Sequence, residues 1–401
     1  MKFLRNYLND IKPNFEKGGK LHAFRSLFDG FETFLFVPDD TSKSGVNIHD
    51  AIDSKRIMSF VVISLIPALL LGMYNIGLQN ALAAGAADTT CWFDMFVYGL
   101  MVMLPKIAVA YIVGLGIEFT VAQWKGEEIH EGFLVTGILI PMIVPVGTPL
   151  WIIALATAFA VIFAKEVFGG TGMNIVNVAL IARAFIFFAY PSVISGDTVW
   201  VATESYFGYG YELATEGVDA YTCATALAQA ANAVPFTGAS GAELSVCDML
   251  FGFMPGSIGE TSVIAIAIGA VILLWTGVAS WKTMLSVFVG GIAMSLLFQH
   301  TMPENAVAQV PFWQHLILGG FCFGAVFMAT DPVTSARTET GKYIYGFGIG
   351  AMAIIIRVLN PGYPEGMMLA ILLMNVVAPF IDYCVVQANI NARAKRLTNK
   401  N

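Results

Sequence analysis

The chain has 401 residues, of which 57% are hydrophobic and only 12% are charged. Soluble domains carry charges on about a quarter of their residues, so this composition excludes a soluble globular protein and predicts an integral membrane protein. The formal net charge is −7, and no basic patch interleaved with aromatic residues occurs. These two features argue against a nucleic-acid partner.

Five cysteines and five histidines are dispersed along the chain, without a Cys-x-x-Cys pair and without metal-ligand spacing. A protein-only zinc, haem or iron–sulfur centre needs clustered ligands, so we expect no metal site. Cys91, Cys223 and Cys247 fall on one side of the membrane in the topology given below. The spacing alone leaves a disulfide among them open.

Apolar stretches near the length that a membrane-spanning helix needs, about 20 residues, recur along the chain. The sequence predicts ten spans, approximately at 57–77, 95–122, 132–146, 150–166, 174–190, 262–278, 284–299, 312–330, 343–358 and 367–387. The third and fourth are short and are separated by Pro145-Val-Gly-Thr-Pro149, which favours half-helices or tilted helices.

Charge asymmetry predicts the orientation, because Lys and Arg stay on the cytoplasmic side. Nine basic residues lie in the first 56 positions and four follow Ile390, so both termini are expected in the cytoplasm. No basic residue lies between Arg183 and Lys282, whereas eight acidic residues do. This places the loop 191–261 outside. Arg357, at the outer end of the ninth span, is the one charge that disagrees.

Five spans precede the outer loop and five follow it, so the two halves would insert with opposite orientation and form an inverted repeat, as in many transporters. The predicted fold class is an all-α polytopic membrane protein with about ten transmembrane helices. We divide the chain into a cytoplasmic amphipathic arm (1–55), a first five-helix half (56–190), the extracytoplasmic loop (191–261), a second five-helix half (262–388) and a cytoplasmic basic tail (389–401).

The outer loop contains a polar, small-residue stretch, Asp219-Ala-Tyr-Thr-Cys-Ala-Thr225. It resembles the flavinylation motif D-x-x-S/T-G-A-T, whose last threonine carries FMN through a phosphoester bond. The resemblance makes Thr225 the covalent FMN acceptor and makes Asp219, Thr222, Cys223 and Ala224 motif positions. Cys223 stands where the motif has glycine. The alternative is an ordinary solvated threonine.

A glycine-rich turn, Phe168-Gly-Gly-Thr-Gly-Met-Asn-Ile-Val-Asn177, joins the fourth and fifth predicted spans. Asn174 and Asn177 are spaced i, i+3 and are predicted to share one helix face. Their amides offer donors and acceptors without charge, which suits a neutral ligand rich in polar atoms, such as an isoalloxazine ring. The alternative is a packing turn with interhelical asparagine bonds.

Ionisable residues interrupt several apolar stretches, where such residues are rare and indicate ion or proton handling. Glu118 lies in the second span and Asp382 in the tenth. Both lie near cytoplasmic helix ends in the predicted topology, so solvated helix ends are the alternative. Arg183 and Lys106 are interpreted as structural partners of carboxylates. Thr330-Asp-Pro-Val-Thr-Ser335 breaks an apolar run and must be buried or line a cavity.

Eight segments spread over nearly the whole length carry a family resemblance: Phe15–Lys20, Asp53–Met58, Glu131–Thr136, Lys165–Gly172, Arg183–Pro191, Gly256–Glu260, Met328–Val333 and Tyr363–Leu372. With them the chain resembles the family of B subunits of the bacterial Na⁺-translocating NADH:quinone oxidoreductases. The D subunit of the Rnf ferredoxin:NAD oxidoreductase is related, but it typically lacks the long N-terminal arm. The fold implied is similar to that of urea transporters.

The resemblance implies an electron-transfer subunit that carries covalent FMN on Thr225 and non-covalent riboflavin near Asn174 and Asn177. Electrons would pass to a quinone, and this transfer would be coupled to Na⁺ export. The quinone site implied involves Gly114, Leu115, Glu131, Phe133 and Phe185. The Na⁺-handling residues implied are Asp29, Glu118 and Asp382. Leu115 replaces the second glycine of a Gly-Gly pair in the family.

The N-terminal arm has Phe24, Leu27, Phe28, Phe31 and Leu35 at helical spacing, which indicates an amphipathic interfacial segment. The arm would lie beside the quinone site, or it would only clamp neighbouring subunits.

The partners that the resemblance implies are the other subunits of a six-subunit complex, a flavin transferase, the quinone and membrane lipid. The location implied is the bacterial inner membrane. A small-solute channel similar to urea transporters is the alternative function, and it needs no flavin. Yellow-green fluorescence of the chain in a denaturing gel would distinguish the two, because only covalent flavin survives there.

Overall fold

The computed structural model describes residues 2–15, 19, 28, 32, 54–125, 132–196, 200–213, 223–360 and 365–398. Within these ranges the chain is helical and has no strand ladder, only isolated antiparallel bridges at Tyr206–Tyr209 and Thr237–Glu243. Most of the N-terminal arm therefore lies outside the described residues.

From α2 onward the helices follow one another along the chain with short connections, apart from the long outer loop. They are α1 (Lys2–Ile11), α2 (Ser54–Ala83), α3 (Trp92–Lys125), α4 (Phe133–Ile143), α5 (Leu150–Ala160), α6 (Val178–Ala189), α7 (Pro191–Ile194), α8 (Ala226–Ala231), α9 (Val246–Phe251), α10 (Val263–Trp275), α11 (Trp281–Thr301), α12 (Phe312–Ile317), α13 (Phe321–Phe323), α14 (Glu339–Leu359) and α15 (Met367–Thr398). A π turn, Val161–Lys165, and a 3-10 turn, Glu166–Phe168, continue α5, and a second π turn, Gly324–Met328, follows α13.

Six helical segments of the described chain are long and apolar enough to cross a membrane: Arg56–Ala83, Trp92–Lys125, Leu150–Phe168, Trp281–Thr301, Glu339–Leu359 and Met367–Arg396. Three more apolar helices, α4, α6 and α10, have only 10–17 residues. The prediction of an all-α, multi-pass membrane protein is confirmed at this level. Several helices are longer than the predicted spans, because each continues through polar residues at the ends of its apolar segment.

The predicted span 312–330 is divided in the structure. Helix α12 ends at Ile317, the C-cap Leu318 has an extended backbone, and Gly319 follows with φ +66. A helix end leaves carbonyl groups without intrahelical partners. Here Arg357 of α14 donates to the carbonyl oxygens of His315 and Leu318, the latter at 3.1 Å. Arg357 is fully buried. It is therefore a structural donor inside the protein, which explains why it disagreed with the charge asymmetry.

The core joins the two halves of the chain. Helix α2 packs on α10 and α6 packs on α15, so each contact pairs an element that precedes the outer loop with one that follows it. The tightest pair, α11 and α14, meets at glycines: a Cβ at Gly290 or Gly350 would overlap the backbone of the facing helix. Small residues at such crossings let helices approach closely without a hydrophobic driving force.

Exposed tryptophans mark the helix ends. Trp92 begins α3 and Trp124 lies at its other end, while Trp275 ends α10 and Trp281 begins α11; all four are at least half exposed. Tryptophan is enriched at both membrane–water interfaces because its ring is apolar and its N–H is polar. These positions support a membrane layer that α3 spans from end to end.

Candidate functional site

A first cavity of about 820 Å³, including its open mouth, lies between α2, α4, the turn before α6 and the turn after Met328. Polar residues from three separate segments converge on it: Lys165, Thr171, Asn174, Asn177, Thr330 and Asp331. Apolar residues, among them Met58, Leu139 and Phe327, complete the lining.

Asn174 and Asn177 both line this cavity, but they do not share a helix face. Helix α6 begins at Val178, and Asn177 is its N-cap: its Oδ1 accepts from the backbone N–H of Leu180 at 3.2 Å. Asn174 lies in the preceding turn and donates to the carbonyl of Val176 at 3.1 Å. The i, i+3 interpretation was wrong because asparagine favours the N-cap over the helix interior.

Asp331 faces Asn177 across the cavity. The Asn177 Nδ2 donates to Asp331 Oδ2 at 3.5 Å, and the Asp331 carboxylate also accepts from the N–H of Val333 at 3.1 Å and from the hydroxyl of Thr334 at 3.0 Å. This is the Thr330–Ser335 interruption, for which the sequence required burial or a cavity. The interruption does line a cavity, although the sequence analysis did not name Asp331 as a site residue.

Two further polar groups of the first cavity are informative. The Thr171 Oγ1 is buried and has no hydrogen-bond partner in the described structure, so it is available to a ligand. Lys165 is 5% exposed and pairs with Glu118, which is 4% exposed. The signal that identifies Lys165 is a lysine at the end of an apolar run, which by itself indicates a partner or a function.

A second cavity, of about 560 Å³, contains Thr225 in its wall. The loop before α8 and the segment Met254–Thr261 form much of it, and Trp200 contributes an aromatic wall. Its charged residues are Arg183, Glu260 and Glu365, each from a different segment.

Thr225 is the N-cap of α8, and its Oγ1 accepts from the N–H of Ala228 at 3.3 Å. The Gln229 side chain fixes the loop, since its Nε2 donates to Ala224 O at 3.2 Å and its Oε1 accepts from Thr237 N at 2.8 Å. Gly196 lies against the hydroxyl: a Cβ there would meet Thr225 Oγ1 at 3.1 Å. The absence of a side chain at Gly196 lets its backbone approach Thr225 and Ala228 closely.

Arg183 lies between two carboxylates. Its Nη1 donates to Glu260 Oε1 at 2.5 Å and its Nη2 donates to Glu365. The interpretation of Arg183 as a partner of carboxylates is confirmed, whereas Lys106 donates to the carbonyl of Val146 instead. Burial raises the pKa of the Glu260 carboxyl, Arg183 lowers it and the neighbouring Glu365 raises it. Burial of Glu260 beside a second carboxylate that shares the same cation therefore favours the uptake of a proton by Glu260.

Cys223 occupies the glycine position of the flavinylation motif without backbone strain. Phe207 and Ala233 are the non-glycine residues with positive φ in the described chain, so Cys223 has an ordinary φ that accepts a side chain. Its side chain is buried against Val201 and Ala239. All five cysteines lie in the described ranges, and none of them forms a disulfide.

The residues implied for quinone binding converge only in part. Gly114 and Phe133 are in contact, since a Cβ at position 114 would overlap the Phe133 ring. Phe185 instead stacks on Phe159 with ring centroids 4.7 Å apart. Leu115 follows Gly114 on α3 and is partly exposed. Glu131 lies outside the described residues.

Asp382 has a clear local role. Its carboxylate accepts from the backbone N–H groups of Arg337 at 2.8 Å and Thr338 at 3.0 Å, and from the Thr338 hydroxyl at 2.6 Å. It thereby supports the start of α14. Glu118 lies in α3, and Asp29, Asp219 and Thr222 lie outside the described residues. Within the described ranges no three His, Cys, Asp or Glu side chains form a group able to hold a metal ion.

The helices define a multi-pass membrane protein, and two cavities with polar and charged side chains in their walls lie among these helices. Residues 41–391 match the NQR2, RnfD, RnfE family. The chain is 44% identical over 415 residues to the B subunit of the Na(+)-translocating NADH-quinone reductase of Chromohalobacter salexigens, and the match covers 98% of this chain and 96% of the relative.

The B subunits of the same reductase from Azotobacter vinelandii and Pseudomonas paraeruginosa are 42% and 41% identical, each over 98% of this chain and 99% of the relative. The chain belongs to the NQR2, RnfD, RnfE family, and the resemblance found in the sequence is confirmed.

Proposed function

We propose that this chain is the membrane electron-transfer subunit of a Na⁺-translocating NADH:quinone reductase. Covalent FMN on Thr225 and non-covalent riboflavin at Asn174 and Asn177 pass electrons toward a quinone, and Na⁺ export is coupled to this transfer. The identity to the B subunits over nearly the full length supports the class of complex. The other subunits, a flavin transferase and the bacterial inner membrane follow from that class as its partners and location.

The observation that carries the proposal is the placement of the predicted flavin residues on two separate cavities. Thr225 lies in the wall of the second cavity, beside Gly196, which also lines it. Asn174 and Asn177 lie in the wall of the first, near the unpartnered Thr171 hydroxyl. The residues present fit both groups. Bound flavins would supply electron transfer, and the chain would hold and orient them and exclude water.

The attachment of FMN is tested at Thr225 by a substitution that separates chemistry from folding. Thr225→Asn keeps an N-cap side chain for α8 but removes the hydroxyl that the phosphate would esterify. We expect complete loss of in-gel flavin fluorescence with unchanged expression. Thr222→Val is the matched control and should keep the flavin. Fluorescence that persists in Thr225→Asn would exclude this residue as the acceptor.

The riboflavin site is tested in the same manner. Asn174→Leu removes an amide from the first cavity, and Asn177→Ser removes the other while keeping an N-cap for α6. Losing one buried hydrogen bond costs about 1–3 kcal/mol, so each variant should release most of the flavin that acid extracts. The covalent flavin in the same sample is the internal control. Full riboflavin content in both variants would refute the site.

The inverted repeat with ten spans stays a proposal, and paired packing supports it. Helix α3 packs on α5 as α11 packs on α14, and α5 packs on α6 as α14 packs on α15. The like elements α2 and α10 contact each other, as do α6 and α15. In this scheme α4 corresponds to the broken segment α12–α13, so short apolar helices occupy the same place in both halves. The fold would then be similar to that of urea transporters.

The quinone and Na⁺ sites are proposed as the family resemblance implies them. Gly114, Leu115, Glu131, Phe133 and Phe185 would bind quinone near the arm, and Asp29, Glu118 and Asp382 would handle Na⁺. The contact of Gly114 with Phe133 supports the first set. For Asp382, the hydrogen bonds to Arg337 and Thr338 favour the structural alternative. Glu118, buried and paired with Lys165, is the stronger member of the second set.

A further inference from the structure

Lys165 is a buried cation whose position stability alone does not explain. It lies at the end of the π turn that follows α5, and its ammonium group pairs with Glu118 of α3. Both side chains are at least 94% buried in their side-chain surface. Such a pair loses the hydration of two ions, and well-packed apolar residues often replace it without loss of stability. The cost of keeping it indicates a role for the charge.

The lysine stands between Glu118 and the first cavity. Lys165 belongs to the lining of that cavity, together with Asn174, Asn177 and Asp331, whereas Glu118 does not. The π turn has wider backbone spacing than an α-helix, and such turns frequently occur at functional sites. Glu166, the next residue, is engaged by Lys125 at 3.7 Å. Among the described residues that line this cavity, Lys165 is the one with a cationic side chain.

We propose that Lys165 is a positioning residue that sets the reduction potential of the neutral flavin in the first cavity, with Glu118 as its counter-charge. The inference rests on the proposed riboflavin site. One-electron reduction adds one negative charge to the bound ring system. The electron comes from an external one-electron donor, no bond forms or breaks and no proton moves. A nearby buried cation stabilises the added charge, because little water screens the interaction. The Glu118 carboxylate offsets part of this effect.

The proposal makes a signed prediction for two residues that form one ion pair. Lys165→Met removes the cation and should lower the potential. Glu118→Gln removes the opposing charge and should raise it. A merely structural ion pair would not give opposite signs, since breaking it from either side leaves one unpaired ion and loosens the same contact. Lys165→Arg keeps the charge and should remain close to the parent.

The measurement uses the full-length chain in the Thr225→Asn background, so that added riboflavin is its only flavin. Spectroelectrochemical titration then reports one potential. We expect each substitution to change the one-electron equilibrium constant at least tenfold, which is 59 mV per electron. Lys106→Met is the matched control: Lys106 is also a buried lysine, but its ammonium donates to the carbonyl of Val146 and it does not line the cavity. The reduction potential of riboflavin bound to the Lys106→Met chain should equal that of the parent.

The outcomes separate this inference from the proposal on which it rests. Opposite shifts in Lys165→Met and Glu118→Gln, with flavin still bound, support the role of Lys165. Bound flavin with unmoved potentials, or shifts of the same sign, overturns that role and leaves the riboflavin site intact. If the Thr225→Asn chain itself takes up no riboflavin, the proposed site is wrong and the inference fails with it.

Discussion

At the residue scale, the cluster of Arg183, Glu260 and Glu365 is the strongest electrostatic feature of the second cavity. It joins α6 to the segments that precede α10 and α15, and so links both halves of the chain. Breaking a buried ion pair from one side typically costs about 3–5 kcal/mol, because the remaining charge stays buried without its partner. The cluster should therefore be sensitive to the loss of its one cation.

Arg183→Met should lower the thermal unfolding temperature strongly, and the loss should depend on pH. The variant keeps the buried Glu260 carboxyl, whose pKa in the folded state lies above that of the unfolded chain because of burial. Groups of this kind stabilise the fold when protonated, and that contribution is lost as the pH rises through the folded pKa. Burial already raises the pKa of Glu260 to about 7 with Arg183 present.

The deficit of the variant should accordingly grow from acidic to neutral pH in detergent-solubilised protein. Glu260→Gln is the control, since it leaves Arg183 paired with Glu365 and should lose less stability. A variant as stable as the parent at every pH would show that the cluster contributes nothing to the fold.

For single charged residues, the sequence predicted the type of partner but not which residue the partner is. The sequence indicated that Arg183 meets a carboxylate, yet its partners lie 77 and 182 positions away. No local pattern encodes a contact over that distance. The burial of Lys165 and Arg357 was not predictable from the sequence for a related reason. A cation near a helix end looks the same in sequence whether it points to water or into the core, and only the packing of other elements decides.

At the element scale, apolar length located the long helices well and the broken ones poorly. Hydropathy alone predicts one span over 312–330, but the backbone bends at Leu318–Gly320. That bend is stable because Arg357, on a helix that is distant in sequence, donates hydrogen bonds to the carbonyl oxygens that the bend frees. Likewise, the turn before α6 reads as helix until Asn177 is recognised as its N-cap. Broken helices depend on partners elsewhere, so the sequence marks them only by glycine and proline.

The two cavities also depend on broken elements. The first is bounded by the turn before α6 and by the turn after Met328, and the second by the segment Met254–Thr261 and the loop before α8. Irregular backbone at membrane depth is tolerated where it lines a cavity or is buried in protein. The polar interruptions that the sequence displayed thus line cavities inside an apolar bundle.

At the scale of the whole molecule, the polytopic helical character was predictable from composition, because the excess of apolar residues leaves no other solution in lipid. For the pairing of the two halves, the sequence offers only a prediction of five spans before the outer loop and five after it. The contacts of α2 with α10 and of α6 with α15 agree with a twofold relation between halves of opposite orientation. In an inverted repeat with ten spans, the fold determines on which side of the membrane each loop lies. The orientation can therefore be tested directly by labelling single loops.

Native cysteines provide that test. Cys91, just before α3, and Cys247, in α9, are both exposed. Both lie outside the membrane in the proposed orientation. Asn391 lies in the exposed end of α15, where the proposed orientation is cytoplasmic. In spheroplasts, a membrane-impermeant maleimide should label the parent chain, and Cys91→Ser with Cys247→Ser should abolish this labelling.

Adding Cys384→Ser, which removes the remaining exposed cysteine, together with Asn391→Cys to that double variant should restore labelling only after the membrane is opened. The buried Cys223 and Cys322 remain unreactive and set the background. Labelling of the Asn391→Cys chain in intact spheroplasts would place the C-terminus outside. Since Thr225 lies in the same outer loop as Cys247, that result would also move the proposed FMN acceptor to the cytoplasmic side and reverse the direction of electron transfer across the membrane.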